Sequence, residues 1–214
     1  MLTNFNIKQI IEAVLNKDSN GNAFNQTNLE NMINTQSLQL FRHKLEVVGL
    51  TKKADQDLWC FFKAVNKVAV SGIIDLTAEN PAYIISFIPD PHTARGFDEV
   101  TAGELSDRLL NPITEPTLSD PVSCRYEQYK YEVYPSGILG ARVSYYKYPR
   151  LAVVRWTRNA TTLAPEYDAG NSVELEWDDL NKIEICYMIL RDAGLNIERR
   201  DVTQVADNII KSGK

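Results

Sequence analysis

The sequence contains few of the residues that usually build catalytic and metal-binding sites. Its 214 residues include two histidines and three cysteines. Neither His43 nor His92 lies in a carboxylate or cysteine pattern typical of a metal set or a catalytic triad. The phosphate-binding loop, the dinucleotide fingerprint, the GxSxG elbow and the HExxH motif are all absent. We therefore predict no catalytic residues, no cofactor and no metal ligands, and we expect that the protein is not an enzyme.

A calcium loop is the one metal site that the sequence superficially resembles. The run from Asp18 to Asn22 is rich in Asp, Asn and Gly and lies between two predicted helices. An EF-hand requires glycine at loop position six and a bidentate glutamate at position twelve. Counted from Asp18, those positions hold Ala23 and Leu29, so a plain helix–turn–helix corner is the better interpretation.

Disulfide patterns and long apolar runs are also lacking. Cys60, Cys124 and Cys186 are far apart and odd in number, which favours reduced structural thiols in an intracellular protein. No apolar run approaches the ~18 residues of a membrane span, and the polar opening of the chain is unlike a signal peptide. We therefore expect no membrane partner. The formal net charge of -5 argues against a general nucleic-acid binder, which is usually basic.

Hydrophobic periodicity predicts helices at both ends of the chain. Apolar residues between Ile7 and Leu15 recur at helical spacing, and a second apolar stripe runs from about Gln26 to Leu45. Asp178 is a suitable N-cap for a helix near the C-terminus. A final short helix is expected to begin near Asp201.

The central region switches to strand patterns. Runs rich in Val, Ile and Tyr predict strands at 67–76, 82–88, 129–135 and 140–149. Residues 171–177 alternate apolar and polar side chains, which predicts a further strand with one face in water.

Two connecting segments have their own signatures. Thr101 and Glu104 match a capping box, so a short helix is expected to follow as far as Leu110. Residues 111–121 contain three prolines, which excludes a central strand. Because loops carry recognition, we expect residues 90–96 and 111–121 to reach neighbouring molecules.

These patterns together predict an α+β fold, in which helical terminal segments surround a central antiparallel β region. Residues 1–66 form the N-terminal helical segment and residues 67–177 the central, mainly β region. Residues 178–214 form a C-terminal helical segment, which we expect to pack with the N-terminal helices, so that the whole chain forms one compact unit.

Charge is unevenly distributed near the C-terminal end of the β region. The basic segment, 133–165, has five basic residues and no acid, whereas the acidic segment, 166–179, has six acids and no base. Tyrosine and tryptophan are interleaved with the basic residues. The candidate interface residues of the basic segment are Arg142, Lys147, Arg150, Arg155, Arg158, Tyr146 and Trp156, and those of the acidic segment are Glu166, Asp168, Glu174, Glu176 and Asp178.

Three interpretations of this charge pattern are open. The charges could pair across strands of one sheet, each pair contributing about 0.2–1 kcal/mol. They could instead form complementary edges on neighbouring subunits, because head-to-tail surfaces of opposite charge can close a ring. The basic and aromatic residues could also lie near DNA and make salt-sensitive phosphate contacts.

Several short motifs follow one another in a set order along the chain. Each motif is short, and their order is more specific than any one of them. The motifs are a Lys17-Asp18 turn before a helix ending in Leu40-Phe41, a central run of Glu104–Pro112, Glu115–Thr117 and Asp120-Pro121, two tyrosine-rich strand ends at Tyr131–Pro135 and Ser144–Pro149, and the C-terminal segments Ser172–Glu176 and Leu190–Ile197.

This order resembles that of small virion proteins of Bacteroidetes-infecting tailed phages, crAss-like phages included. The resemblance implies a head–tail connector protein that is made in the bacterial host cytoplasm and incorporated into the virion neck. It implies a closed homo-oligomeric ring of about twelve copies, matching the portal above it. Its expected partners are other copies of itself, the portal or other neck ring proteins, tail proteins and, transiently, packaged DNA. The resemblance brings no catalytic residues with it.

Two alternatives differ from the neck ring in class. One is another virion module, such as a tail-fibre or baseplate adaptor, which would differ in copy number. The other is a small enzyme with an unrecognised site, whose signature would be a deep pocket with perturbed titrating groups.

Overall fold

A computed structural model shows how the predicted elements are arranged. The candidate calcium-loop run, His92 and the predicted helix near Asp201 lie outside the residues it describes. The residues described are 2–14, 26–90, 95–161 and 165–192.

The chain divides into two units. The sheet unit is Phe61–Tyr148, and the helical unit combines Met1–Cys60 with Pro149–Lys214. Helices at both ends of the sequence flank a central sheet region, which confirms the predicted α+β class. Residues 149–177, which we assigned to the central β region, belong to the helical unit. The expectation that the whole chain forms one compact unit stays a prediction.

The elements are numbered in chain order. The helices are α1 (Asn4–Val14), α2 (Gln26–Glu46), α3 (Lys52–Asp57), α4 (Ala102–Leu110) and α5 (Asp179–Asp192). The strands are β1 (Phe62–Val68), β2 (Ile73–Asp75), β3 (Pro81–Asp90), β4 (Asp98–Val100), β5 (Val122–Glu127), β6 (Lys130–Tyr134), β7 (Gly140–Lys147), β8 (Trp156–Arg158) and β9 (Pro165–Tyr167).

The core of the helical unit forms where α5 packs against both α1 and α2. Each helix contributes apolar side chains at three- and four-residue spacing, so that one face is buried. Fully burying such a side chain contributes about 1.5–3 kcal/mol. The buried residues include Ile7, Ile10 and Ile11 of α1, Leu29, Ile33, Leu40 and Phe41 of α2, and Ile185, Cys186, Ile189 and Leu190 of α5.

The strand predicted at 171–177 is wrong. Within this segment, Val173 makes an isolated bridge with Val153, and no ladder continues from it among the described residues. The alternation that suggested a strand is real, because Leu175 and Trp177 are buried while Glu176 between them is half-exposed. The segment is extended, and its backbone is bonded by Val153 at one point and by the side chain of Asn4 from α1, rather than by a continuous strand ladder.

The sheet unit contains two sheets. Strands β1, β7 and β3 form an antiparallel sheet with β7 in the centre. The second sheet has the order β2, β6, β5, β4, and its last pair is parallel. Side chains from both sheets meet in one cluster, which includes Ile74, Tyr131 and Val133 from the four-stranded sheet and Val143 and Tyr145 from β7.

Alternation along β7 divides its side chains between two faces. Val143 and Tyr145 face the cluster between the sheets. Arg142 and Tyr146 therefore lie on the other side, which we call the outer face of the three-stranded sheet. Gly140 allows the strands to approach closely, because a Cβ there would lie 2.3 Å from the Lys67 carbonyl oxygen.

The predicted capping box of α4 is confirmed. Thr101 Oγ1 accepts from the Glu104 amide at 3.3 Å, and the Glu104 carboxylate accepts from the Thr101 amide at 2.8 Å. Leu105 of α4 packs with Val100 and Val122 in a second buried cluster. The segment after α4 forms turns and no central strand, as its prolines require.

Candidate interaction surfaces

The candidate interface residues are divided between the two units. Arg142, Tyr146 and Lys147 belong to the sheet unit, on β7. The remaining basic and aromatic candidates and all the acidic ones belong to the helical unit. The basic segment, 133–165, is continuous in sequence but is divided between the two units and does not form one strand.

The three candidates on β7 have different environments. Arg142 is exposed on the outer face, where its cross-strand neighbours are Asn66 of β1 and Ile88 of β3. Tyr146 is 5% exposed and meets Phe62 edge to face, with ring centroids 6.3 Å apart. Lys147 is half-exposed at the end of the strand.

Side chains of α2 hold the extended segment that follows β7. The Asn34 side chain accepts from the Ala152 amide at 2.7 Å and donates to the Ala152 carbonyl at 3.0 Å. One turn earlier, the Glu30 carboxylate accepts from the Val154 amide at 2.9 Å and pairs with the Arg155 guanidinium. Glu30 and Asn34 are four residues apart on one helix face, and they satisfy an extended backbone as a neighbouring strand would.

The two ends of this segment also have intramolecular contacts. Arg150 is exposed, and its backbone amide donates to the Glu176 carboxylate at 3.2 Å. Trp156 in β8 lies below the Lys8 ammonium, which is 5.1 Å from the ring centroid. Arg158 pairs through its backbone with Pro165 in the β8–β9 hairpin.

Glu174 is the most deeply engaged of the acidic candidates. Its carboxylate accepts from the Asn4 amide at 2.7 Å and from the Tyr167 hydroxyl. Burial, together with this hydrogen bond to a carboxylate, raises the pKa of Tyr167 to about 12. Asn4, which is fully buried, also bonds Val173 and Leu175, so its amide fastens this segment to α1.

The other acidic candidates stabilise local turns. Asp178 accepts from the Asn181 amide at 2.7 Å, which confirms it as the N-cap of α5. The Asp168 carboxylate is bonded by the Asn171 side chain, which lowers the pKa of that carboxyl. Glu166 is exposed and accepts from the Asn159 side chain at 2.5 Å.

Lys182 is a buried charge that sequence reasoning missed. It is 1% exposed, and its ammonium donates to the Leu2 carbonyl at 2.7 Å. Burial lowers the pKa of Lys182, while Glu174 and Asp179 act in the opposite direction. The Asp179 carboxylate in turn accepts from the Leu2 amide at 2.8 Å. The first turn of α5 therefore bonds both the backbone amide and the backbone carbonyl of Leu2, which precedes α1.

Sequence reasoning also missed a group of exposed apolar residues at the end of α4 and in the loop that follows it. The apolar knob consists of Leu109, Leu110, Ile113 and Leu118. Leu110 is 84% exposed and Ile113 is 93% exposed. A hydrogen bond from the Ile113 amide to the Asn111 side chain fixes the turn. The sequence did contain a signal for this exposure, because Ile113 and Leu118 are aliphatic residues within a proline-rich loop, where polar residues are usual.

A concavity lies on the outer face of the three-stranded sheet. Its volume is about 210 Å³, and it is open to solvent. Arg142 lines it, together with its cross-strand neighbours Asn66 and Ile88. Its lining residues are Asn66, Ile88, Pro89, Asp90, Ala141 and Arg142.

Residues able to bind metals or act as nucleophiles are dispersed. No group of three or more His, Cys, Asp or Glu residues able to hold a metal ion occurs in the described part of the chain. His43 is exposed and lies 4.0 Å from Glu46. The three cysteines are free thiols, and burial raises the pKa of Cys186 to about 12. Among the described helices, none is long and apolar enough to cross a membrane.

Comparison of the chain with protein-family models finds no match, and comparison with curated proteins finds none either. The candidate surfaces therefore have to be interpreted from their own chemistry.

Proposed function

We propose that this chain is a structural protein of the head–tail neck of a tailed bacteriophage. In this role it forms a closed ring of about twelve copies between the portal and the tail, with a channel through which DNA passes. The chain then acts by self-association in the virion rather than by catalysis. Support comes from the order of short motifs along the chain and from the surface of the sheet unit.

The observation that carries the proposal is the exposed apolar knob. Aliphatic side chains exposed as fully as Leu110 and Ile113 lose contact with water only by meeting another molecule. Contiguous apolar patches on a soluble protein mark sites of interaction. Ile113 and Leu118 of the knob also lie within residues 111–121, a loop that we expected to contact neighbouring molecules.

The overall charge suits a conduit for DNA. A chain with a formal charge of -5 has little general attraction for phosphates. A ring built from such subunits would let DNA move through its channel without holding it. Local basic residues such as Arg150 would then make at most transient contacts.

Labelling of mature particles tests the proposal. An antibody raised against this chain is applied to particles of the phage that carries the gene, and gold labels are located by electron microscopy. We expect labels at the head–tail junction. Labels at tail fibres or at the baseplate would favour the other virion module, and absence of the chain from particles would contradict both roles.

A further inference from the structure

The apolar knob has the form of an insert. Its two most exposed side chains, Leu110 and Ile113, lie on either side of the turn that ends α4. Asp107 lies one helical turn before Leu110, and Glu115 lies two residues after Ile113; both carboxylates are exposed. Within the described residues, neither acid has an ion pair or a hydrogen bond. The knob is thus an apolar tip with an uncompensated acid on each side.

The sheet concavity has complementary features. A cavity of ~150 Å³ can enclose a benzene molecule, so a volume of about 210 Å³ has room for one aliphatic side chain. Its walls include Ile88, Pro89 and Ala141, and Arg142 supplies a positive charge. The guanidinium of Arg142 has no ion pair or hydrogen bond in the part of the chain that the structure describes. An acid beside an inserted aliphatic side chain would supply the missing partner.

The concavity also contains an acid, which sets the direction of docking. Asp90 lies two residues beyond Ile88, the cross-strand neighbour of Arg142. The acids of an incoming knob are attracted by Arg142 and repelled by Asp90. They are therefore expected to lie on the Arg142 side.

Addition of another strand to the β3 edge is a less suitable contact for this sheet. The edge strand β3 begins with Pro81 and contains Pro89, and two register shifts interrupt its pairing with β7. Prolines and bulges are features that disfavour the addition of another strand. The outer face offers side-chain contacts that do not require a free edge.

We propose that the apolar knob of one copy inserts into the sheet concavity of the next copy, with Asp107 or Glu115 facing Arg142. This inference rests on the proposed ring and names its contact. The knob and the concavity are different surfaces of one sheet unit, so the contact is head to tail, and repetition with a suitable rotation closes a ring.

Two variants and their mixture test the contact. The Ile113→Asp variant has a disrupted knob and an intact concavity. The Arg142→Glu variant has a concavity that repels an incoming knob, and its own knob is intact. Each variant alone is expected to be monomeric in native mass spectrometry, with an association constant lowered by roughly 30-fold or more. An equimolar mixture is expected to form dimers and nothing larger, because the pair retains one intact knob and one intact concavity that fit together.

Matched substitutions elsewhere serve as controls. Leu50→Asp places the same charge at another highly exposed leucine, and Arg125→Glu reverses an exposed arginine on β5. Both controls are expected to assemble like the unaltered chain. Asp90→Asn removes the repelling acid and is expected to tighten association, the opposite of the effect of Arg142→Glu.

The outcomes separate this contact from the ring itself. If the unaltered chain forms rings and Ile113→Asp or Arg142→Glu forms them equally well, the knob–concavity contact is wrong while the ring stands. A mixture that yields no dimers, or controls that dissociate as the variants do, also overturns the contact. An unaltered chain that never associates overturns the ring and, with it, the contact.

Discussion

The two units differ in how their extended segments are held and in which charged side chains stay exposed. In the helical unit, Glu30, Asn34 and Asn4 bond the backbone of an extended segment. In the sheet unit, Arg142 is exposed on a sheet face without a partner among the described residues. A charged segment in a sequence therefore cannot be equated with a charged surface, because some of its charged side chains bond other parts of the same unit.

The difference has a physical origin. Residues 149–177 form few ladder bonds, so their buried amides and carbonyls need other partners. The helices supply these partners from side chains far away in sequence. In the sheet unit the backbone is satisfied by strand pairing, which leaves the exposed side chain of Arg142 on the outer face available for another molecule.

The largest expected effect is in the core of the helical unit. Trp177 is 1% exposed, and its ring nitrogen donates to Ser37 Oγ at 2.8 Å. Trp177→Ala is expected to destabilise the protein by about 3–5 kcal/mol through the cavity that it leaves. Trp59→Ala removes a tryptophan that is 68% exposed and should cost under about 1 kcal/mol. Urea denaturation followed by circular dichroism measures both, and equal losses would contradict the assigned burial.

A smaller effect is expected where a helix side chain replaces a strand. Asn34→Ala removes both hydrogen bonds to Ala152 and leaves the buried amide and carbonyl of Ala152 unpaired. The free energy of unfolding should fall by about 1–3 kcal/mol. Asn31→Ala changes an exposed asparagine of the same helix and should have little effect. If the two substitutions are indistinguishable in urea denaturation, α2 does not hold the extended segment as described.

The pH dependence of stability reports on the buried lysine. Burial lowers the pKa of Lys182 in the folded protein. Between that lowered pKa and the ordinary lysine pKa, the unfolded chain therefore binds more protons than the folded protein at the same pH. Lys182 therefore contributes a stability that increases with pH in the window below ~10.4, the unperturbed lysine pKa. Lys182→Met should flatten this rise relative to the unaltered chain, whereas Lys53→Met, at an exposed position, should not. Parallel curves for the two variants would contradict the burial of Lys182.

The smallest expected effect separates two arginines. Arg155→Gln breaks the ion pair with Glu30 and should lower the free energy of unfolding by about 1 kcal/mol. Arg142→Gln should change it by less than about 0.5 kcal/mol, because the side chain has no described partner to lose. Thermal denaturation at low protein concentration measures both in the unassociated chain. A reversed order would contradict the contrast between the two units.

Local signals allowed much of the fold to be predicted from the sequence. The capping box at Thr101, the N-cap at Asp178 and the two long helices depend on residues within a few positions of one another. The prediction for 171–177 was wrong because a half-buried extended segment and a strand show the same alternation of apolar and polar residues. They differ in what bonds the backbone, and here one partner is Asn4, which lies 169 residues away from Val173.

Long-range placement decided which candidate site residues are available. Arg155 and Glu30 are 125 residues apart, so no local pattern could indicate their ion pair. The exposure of Ile113 likewise depends on what the rest of the fold fails to cover. The charge pattern did include Arg142, but it gave no reason to separate Arg142 from the arginines that the helical unit employs.

Native mass spectrometry of the purified, unaltered chain, combined with negative-stain microscopy, measures whether the chain closes into a ring. We expect one closed species of about twelve subunits with a central channel. A chain that stays monomeric over the accessible concentration range, or that grows into open filaments without closing, would contradict it.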